Sequence, residues 1–165
     1  MTGGRTLRLA LLFGFCLVAT VAALIPLGPG GALVSPDLVF CLVLAWMLRA
    51  PEPVPVWALV LLGLFADAML ARPLGLGALG LLLAAEAMRG LAPRLRGTPF
   101  PLEWVCAALL FALTLAFMHA ALRVTFAEAP PVTDLARYLV ATVIAYPLAA
   151  LTASVALRGR REATA

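Results

Sequence analysis

Long uncharged apolar blocks, separated by short clusters of Gly, Pro and charge, set the pattern of this chain. Crossing about 30 Å of hydrocarbon takes roughly 20 residues of helix, and in lipid the backbone must bond within each segment, so such blocks predict spanning helices. Three blocks are long and free of charge: Leu9 to Leu27, Trp104 to Leu122 and Leu139 to Leu157. Three shorter ones lie between them, and each carries one acid: Asp37, Asp67 or Glu86. Together they predict six helices over about 9–27, 33–48, 54–71, 74–88, 104–122 and 135–157 of a single polytopic domain covering residues 1–165. At about 1.5 Å per residue a 16-residue helix covers only roughly 24 Å, so the three short segments read as a set packed inside the longer ones.

Composition agrees with the pattern. Of 165 residues, 64% are hydrophobic and 12% charged, and mean hydropathy is +1.08. Ordinary globular chains hold about 45–50% apolar and about 25% charged residues. The chain therefore reads as an all-α integral membrane protein, and a secreted disulfide scaffold, a nucleic-acid-binding domain and a soluble enzyme on one anchor are excluded. Cys16, Cys41 and Cys106 each sit in an apolar run without metal-like spacing and read as small buried hydrophobes.

Charge adds orientation. Six spans place both termini on one side, and nine of the 12 basic residues, all Arg, fall there: Arg5, Arg8, Arg49, Arg89, Arg94, Arg96, Arg158, Arg160 and Arg161. Arg72, Arg123 and Arg137 fall on the other. The positive-inside rule then predicts cytoplasmic N and C termini. Arg5 and Arg8 before an apolar run also suit a signal peptide, but that run exceeds the usual 7–15-residue hydrophobic core, so a first span is the preferred reading.

The acids and turn residues are the candidate chemistry. Ser35-Pro36-Asp37 follows a Gly- and Pro-rich turn and reads as a helix start, with Ser35 as N-cap, Pro36 at N1 and Asp37 in the first turn against the positive end of the helix dipole. Asp67 lies near the end of its span, where a carboxylate must be paired, hydrated or protonated. Its nearest candidate partner is Arg72, so Asp37, Asp67 and Arg72 are expected to form one polar cluster. Pro73 can open the next helix, while Gly75 and Gly77 permit close backbone approach. Glu86 and Arg89, spaced i, i+3, suit a solvated ion pair, and the basic loop at Arg89, Arg94 and Arg96 suits anionic lipid headgroups as well as a protein. Ala108, Ala112, Ala116 and Ala120, like Ala141, Ala145, Ala149 and Ala153, recur every four residues and form stripes that allow close helix packing, within the chain or in a homo-oligomer. Pro147 predicts a kink. His119, the single histidine, reads as structural or interfacial.

Function narrows by inventory. Two serines, neither in a nucleophile-elbow context, and no Gly-rich phosphate loop or multi-Asp cluster argue against an enzyme and imply no cofactor and no metal. A small-molecule-binding subunit of a transporter is the serious rival to a non-catalytic scaffold, but the spans offer little polarity for binding or relay.

Ser35-Pro36-Asp37-Leu38-Val39-Phe40, Gly63-Leu64-Phe65-Ala66-Asp67 and Arg72-Pro73-Leu74-Gly75-Leu76, in this order and spacing, resemble the rod shape-determining protein MreD family over about residues 30–92. One departure is Ala71-Arg72, where the family often places a Gly before the Pro-Leu-Gly turn. The resemblance implies a bacterial inner-membrane component of the elongation machinery. It would act with MreC, the MreB cytoskeleton, and the RodA polymerase with its penicillin-binding transpeptidase, by scaffolding and regulating peptidoglycan synthesis and not by catalysis. It also implies a helical arrangement similar to the substrate-binding subunits of energy-coupling vitamin transporters. Carried over position by position, Pro36, Asp37, Gly63, Asp67, Pro73 and Gly75, with Arg72, become the candidates for shaping one end of the fold or a partner surface, and the apolar helix faces become candidates for binding the MreC transmembrane helix.

Overall fold

The computed structural model describes residues 2–25, 34–50, 54–125 and 130–162. These are all-helical: α1 Thr2–Ala23, α2 Leu38–Arg49, α3 Val56–Met69, α4 Leu76–Leu95, α5 Phe100–Val124 and α6 Val132–Glu162. Four of them, α1, α4, α5 and α6, are long and apolar enough to cross a membrane. α2 and α3, with 12 and 14 residues, are shorter apolar helices.

Helix ends differ from the apolar blocks because hydropathy registers where charge begins, whereas a helix ends where its backbone bonding ends. α4 continues through Arg89, Pro93 and Arg94, and α5 begins before Glu103. At the start of α2 the expected caps are also displaced. Asp37, not Ser35, is the N-cap, its Oδ1 accepting from the Phe40 amide at 3.0 Å. Pro36 thus precedes the helix instead of occupying N1. A carboxylate caps as well as a hydroxyl and adds charge at the positive helix end.

Of the three short segments only α2 is enclosed. Every residue from Val39 to Leu48 is buried, as suits a helix that is apolar all round. Its most extensive packing is on α6, followed by α4 and α1. α3 packs chiefly on α4 and leaves Trp57, Leu61 and Leu64 exposed. The α3–α4 approach depends on Gly63, where an added Cβ would lie 2.5 Å from Ala78 Cα. Within α6, Ala149 and Ala153 are buried, while Ala116 and Ala120 on α5 are exposed. The two alanine stripes are therefore not one shared seam. Cys16, Cys41 and Cys106 are free thiols.

Polar bonds tie the ends. At one end Arg49 makes a two-pronged bond to Glu103 (2.8 and 3.1 Å) and donates to Ser154, while Tyr146 also donates to Glu103. Arg96 donates to the carbonyls of Leu48 and Ala50, satisfying the C-terminal end of α2. The Glu86–Arg89 pair forms as expected, at 2.8 Å.

Pro147 sits inside α6. It has no N–H to give the carbonyl four residues earlier, that of Val143. Trp104 Nε1 on α5 donates to that oxygen instead, at 2.8 Å. Trp104→Phe should therefore cost about 1 kcal/mol of stability. In a Pro147→Ala background, where the α6 backbone can bond Val143 itself, the same substitution should cost nearly nothing. Thermal unfolding of the four proteins of this double-mutant cycle reads the difference; equal costs in both backgrounds would refute it.

Candidate functional site

The site lies at the end of the bundle formed by the α2 N-terminus, the α3–α4 turn, the C-terminal half of α5 and the start of α6. Asp67, in the last turn of α3, is 1% exposed. Its Oδ2 accepts from the Gly75 and Ala78 amides, at 3.0 and 3.1 Å. Gly75 is the N-cap residue of α4 and carries no side chain to cap it, so Asp67 supplies the cap from the preceding helix. Its negative charge also lies at the positive end of α4. Two glycines make this possible. Gly75 holds φ +89, a left-handed conformation open to Gly, and a Cβ at Gly77 would collide with Asp67 Oδ1.

The backbone of Asp67 does a second task. Its carbonyl accepts from the Arg72 amide at 2.9 Å, the bond of a helix C-terminal Schellman turn. The left-handed residue of that turn is Ala71, at φ 52. The missing glycine noted in the sequence therefore falls on the residue whose backbone would favour one, and the turn forms regardless, with strain at Ala71.

The expected ion pair is re-partnered. The Arg72 side chain bonds Asp37, not Asp67: Nη1 to Asp37 Oδ2 is 3.0 Å. Asp67 is already committed to backbone amides, and the Schellman turn carries Arg72 to α2. Tyr138 on α6 completes the cluster. Its hydroxyl donates to Asp37 Oδ2 and accepts from Arg72 Nη2, both at 2.6 Å, and the guanidinium lies 5.5 Å from its ring centroid. Thr142, one turn further along α6, accepts from the Asp37 amide at 3.0 Å. Burial works against the charge on Arg72, but the neighbouring Asp37 carboxylate and the bonds to Asp37 and Tyr138 outweigh it and push the guanidinium above its usual range. The cation is therefore intact at every pH a cell meets.

A cavity of about 310 Å³ opens beside these groups. Asp37, Asp67, Arg72, Pro73 and Tyr138 lie on its wall, and Gly63 lines it from α3. Thus the structure brings Asp37, Gly63, Asp67, Arg72 and Pro73 around one space. Pro36 and Gly75 act from outside it, in the lead-in to α2 and as the α4 N-cap. Sequence reasoning missed Tyr138 and Thr142. Their i, i+4 spacing on one face of an apolar helix was the available signal. No group of three or more His, Cys, Asp or Glu side chains suited to a metal occurs among the described residues.

A multi-helix membrane body with a polar knot at one end is the class that fold and site define. The rod shape-determining protein MreD family matches the chain over residues 4–155. The chain belongs to that family, a family of non-enzymatic, shape-determining, multi-pass membrane proteins involved in the rod-shape complex. No curated protein and no solved structure matches it.

Asp67→Ala should leave the Gly75 and Ala78 amides without their acceptor and destabilise the protein by about 1.5–3 kcal/mol, whereas Asp67→Asn, which keeps an acceptor oxygen, should cost less. Ala71→Gly should stabilise by about 1 kcal/mol, because it relieves the left-handed backbone strain at that residue. Thermal unfolding in detergent measures each. An Ala71→Gly protein no more stable than the parent would show that the left-handed turn is not strained.

Proposed function

We propose that this protein is a non-catalytic inner-membrane scaffold and regulator of the bacterial elongation machinery, controlling rod shape and peripheral peptidoglycan synthesis together with MreC. The observation that carries the reading is the family match over residues 4–155. In this reading all six helices cross the membrane, α2 and α3 through local thinning and burial against the longer helices. Both termini are cytoplasmic, which the excess of arginine on their side supports. The arrangement is like that of the substrate-binding subunits of energy-coupling transporters. The partners are MreC, the RodA polymerase with its penicillin-binding transpeptidase and, directly or through these, the MreB cytoskeleton. Asp67, Arg72 and Asp37, with Pro36, Gly63, Pro73 and Gly75, hold the periplasmic end in shape for those partners.

The test is affinity purification of the tagged protein from its native membrane in mild detergent, followed by mass spectrometry. MreC and the wall-synthesis enzymes should be recovered, and Asp67→Ala combined with Arg72→Ala should reduce MreC recovery and round the cells. Recovery of a coupling ATPase pair without MreC would overturn the scaffold in favour of a transport subunit. Unaltered shape and complex in the double variant would remove the role of the polar end.

A further inference from the structure

A second cavity, of about 360 Å³, opens at the opposite end of the bundle, where the last turns of α2 and α4 meet the start of α5 and the C-terminal part of α6. Its polar wall groups are Arg49, Arg96, Thr98, Glu103 and Ser154. All but one are answered within the protein. Glu103 takes Arg49 on both carboxylate oxygens and the Tyr146 hydroxyl as well. Ser154 accepts from Arg49 and donates to the Ala150 carbonyl, and Thr98 donates to the Leu95 carbonyl. Arg96 differs. One edge of its guanidinium, Nε and Nη2, is held by the Leu48 and Ala50 carbonyls at 3.2 and 3.0 Å, while Nη1 makes no hydrogen bond and no carboxylate pairs with it among the described residues. The donors of a guanidinium form a rigid planar fork, so fixing one edge also fixes the direction of the free one. Arg96 is exposed, unlike the half-buried Arg49. Two guanidinium groups against one carboxylate leave the wall at +1, and the surplus sits on Arg96.

We propose that this cavity binds the headgroup of an anionic phospholipid, its phosphodiester oxygens on the free edge of Arg96. Arginine matches phosphate because two parallel N–H groups can meet two oxygens. A zwitterionic headgroup would bring an ammonium that finds no open carboxylate, since both Glu103 oxygens are taken. Position selects a lipid. α4 and α5 are both long and apolar enough to span, and Gly97 and Thr98, which join them, lie on the cavity wall, so the cavity sits at headgroup depth. Leu48, Leu95 and Leu157 supply its apolar side, and Phe100 and Leu102 lie exposed at the start of α5, where acyl chains would run. With this end cytoplasmic, the cavity meets the leaflet whose anionic lipids attract juxtamembrane arginines. The site needs the spanning and orientation of the proposed function but none of its partners, so lipid labelling and partner recovery can fail separately.

The protein in phosphatidylcholine nanodiscs is irradiated with a trace of phosphatidylglycerol carrying a diazirine in its headgroup, and adducts are mapped by mass spectrometry. Labelling should concentrate on peptides bearing Leu48, Leu95 to Thr98 and Leu157, and exceed several-fold that around Arg123 and Arg137, exposed arginines of the other end. Unlabelled phosphatidylglycerol should compete, whereas added phosphatidylcholine and millimolar inorganic phosphate should not. Arg96→Gln should weaken that competition about tenfold, the loss of a charge-assisted contact. Arg94→Gln, which removes the same charge from an exposed position outside the cavity, should change it less than about twofold. Because Arg96 also holds the end of α2, both variants are checked for helicity and monodispersity, and if Arg96→Gln does not fold, the labelling map and its competition on the unmodified protein decide. Labelling spread equally over both ends, or equal losses in the two variants, would overturn the site. Equal competition by phosphatidylcholine would overturn the anionic headgroup, and displacement by inorganic phosphate would overturn the lipid in favour of free phosphate.

Discussion

The position of one buried carboxylate governs this end of the molecule. Asp67 closes α3 through its backbone carbonyl and opens α4 through its side chain, so one residue sets both the end of one helix and the start of the next. A carboxylate in a low-dielectric interior is tolerated only when its charge is answered. Here the answer comes from backbone N–H groups and the α4 dipole, which leaves no side chain committed to Asp67. Arg72 is free to act elsewhere, and the turn that Asp67 shapes delivers it to Asp37.

That delivery fixes α2. A 12-residue helix apolar on every face has no internal preference for depth or rotation in its bundle. Its two ends supply one. At the N-terminus Asp37 is held through its amide by Thr142 and through its carboxylate by Arg72 and Tyr138. At the C-terminus Arg49 is clamped by Glu103 and Ser154, and Arg96 takes the last carbonyls. α6 serves both ends through Tyr138, Thr142, Tyr146 and Ser154, which is why α2 packs more extensively on it than on any other helix. Removing a charged member of either knot leaves its opposite charge without its ionic partner among apolar helices, where such groups cost most.

What could be read from the chain follows the range of the forces involved. The six helical blocks were legible because lipid forces backbone bonding within each segment, so hydropathy alone marks them. Asp37, Asp67 and Arg72 were legible as oddities for the same reason, and their clustering at one end followed from helix parity. Their pairing was not legible. The partners of Asp67 are amides, which every residue owns, and Tyr138 meets Asp37 across 101 positions of sequence. Glu103 marked the edge of an apolar block, yet nothing local assigned it to Arg49, 54 residues away. Ala71 shows the reverse case, where a departure from the family pattern identified the one non-glycine residue with positive φ among the described residues.

The same distribution of polarity constrains how such a body can associate. Its flanks are exposed and apolar: Leu109 and Leu113 on α5, and Ile144, Leu148 and Leu151 on α6. Within a bilayer these faces gain little by exchanging acyl chains for a partner helix, because both are equally apolar. Shape and the few polar groups must then carry specificity. The α6 N-terminus offers what the interior lacks, since Asp134 and Arg137 lie exposed and only 3.6 Å apart. Exposed pairs contribute little to folding, so this one adds little to the stability of the bundle.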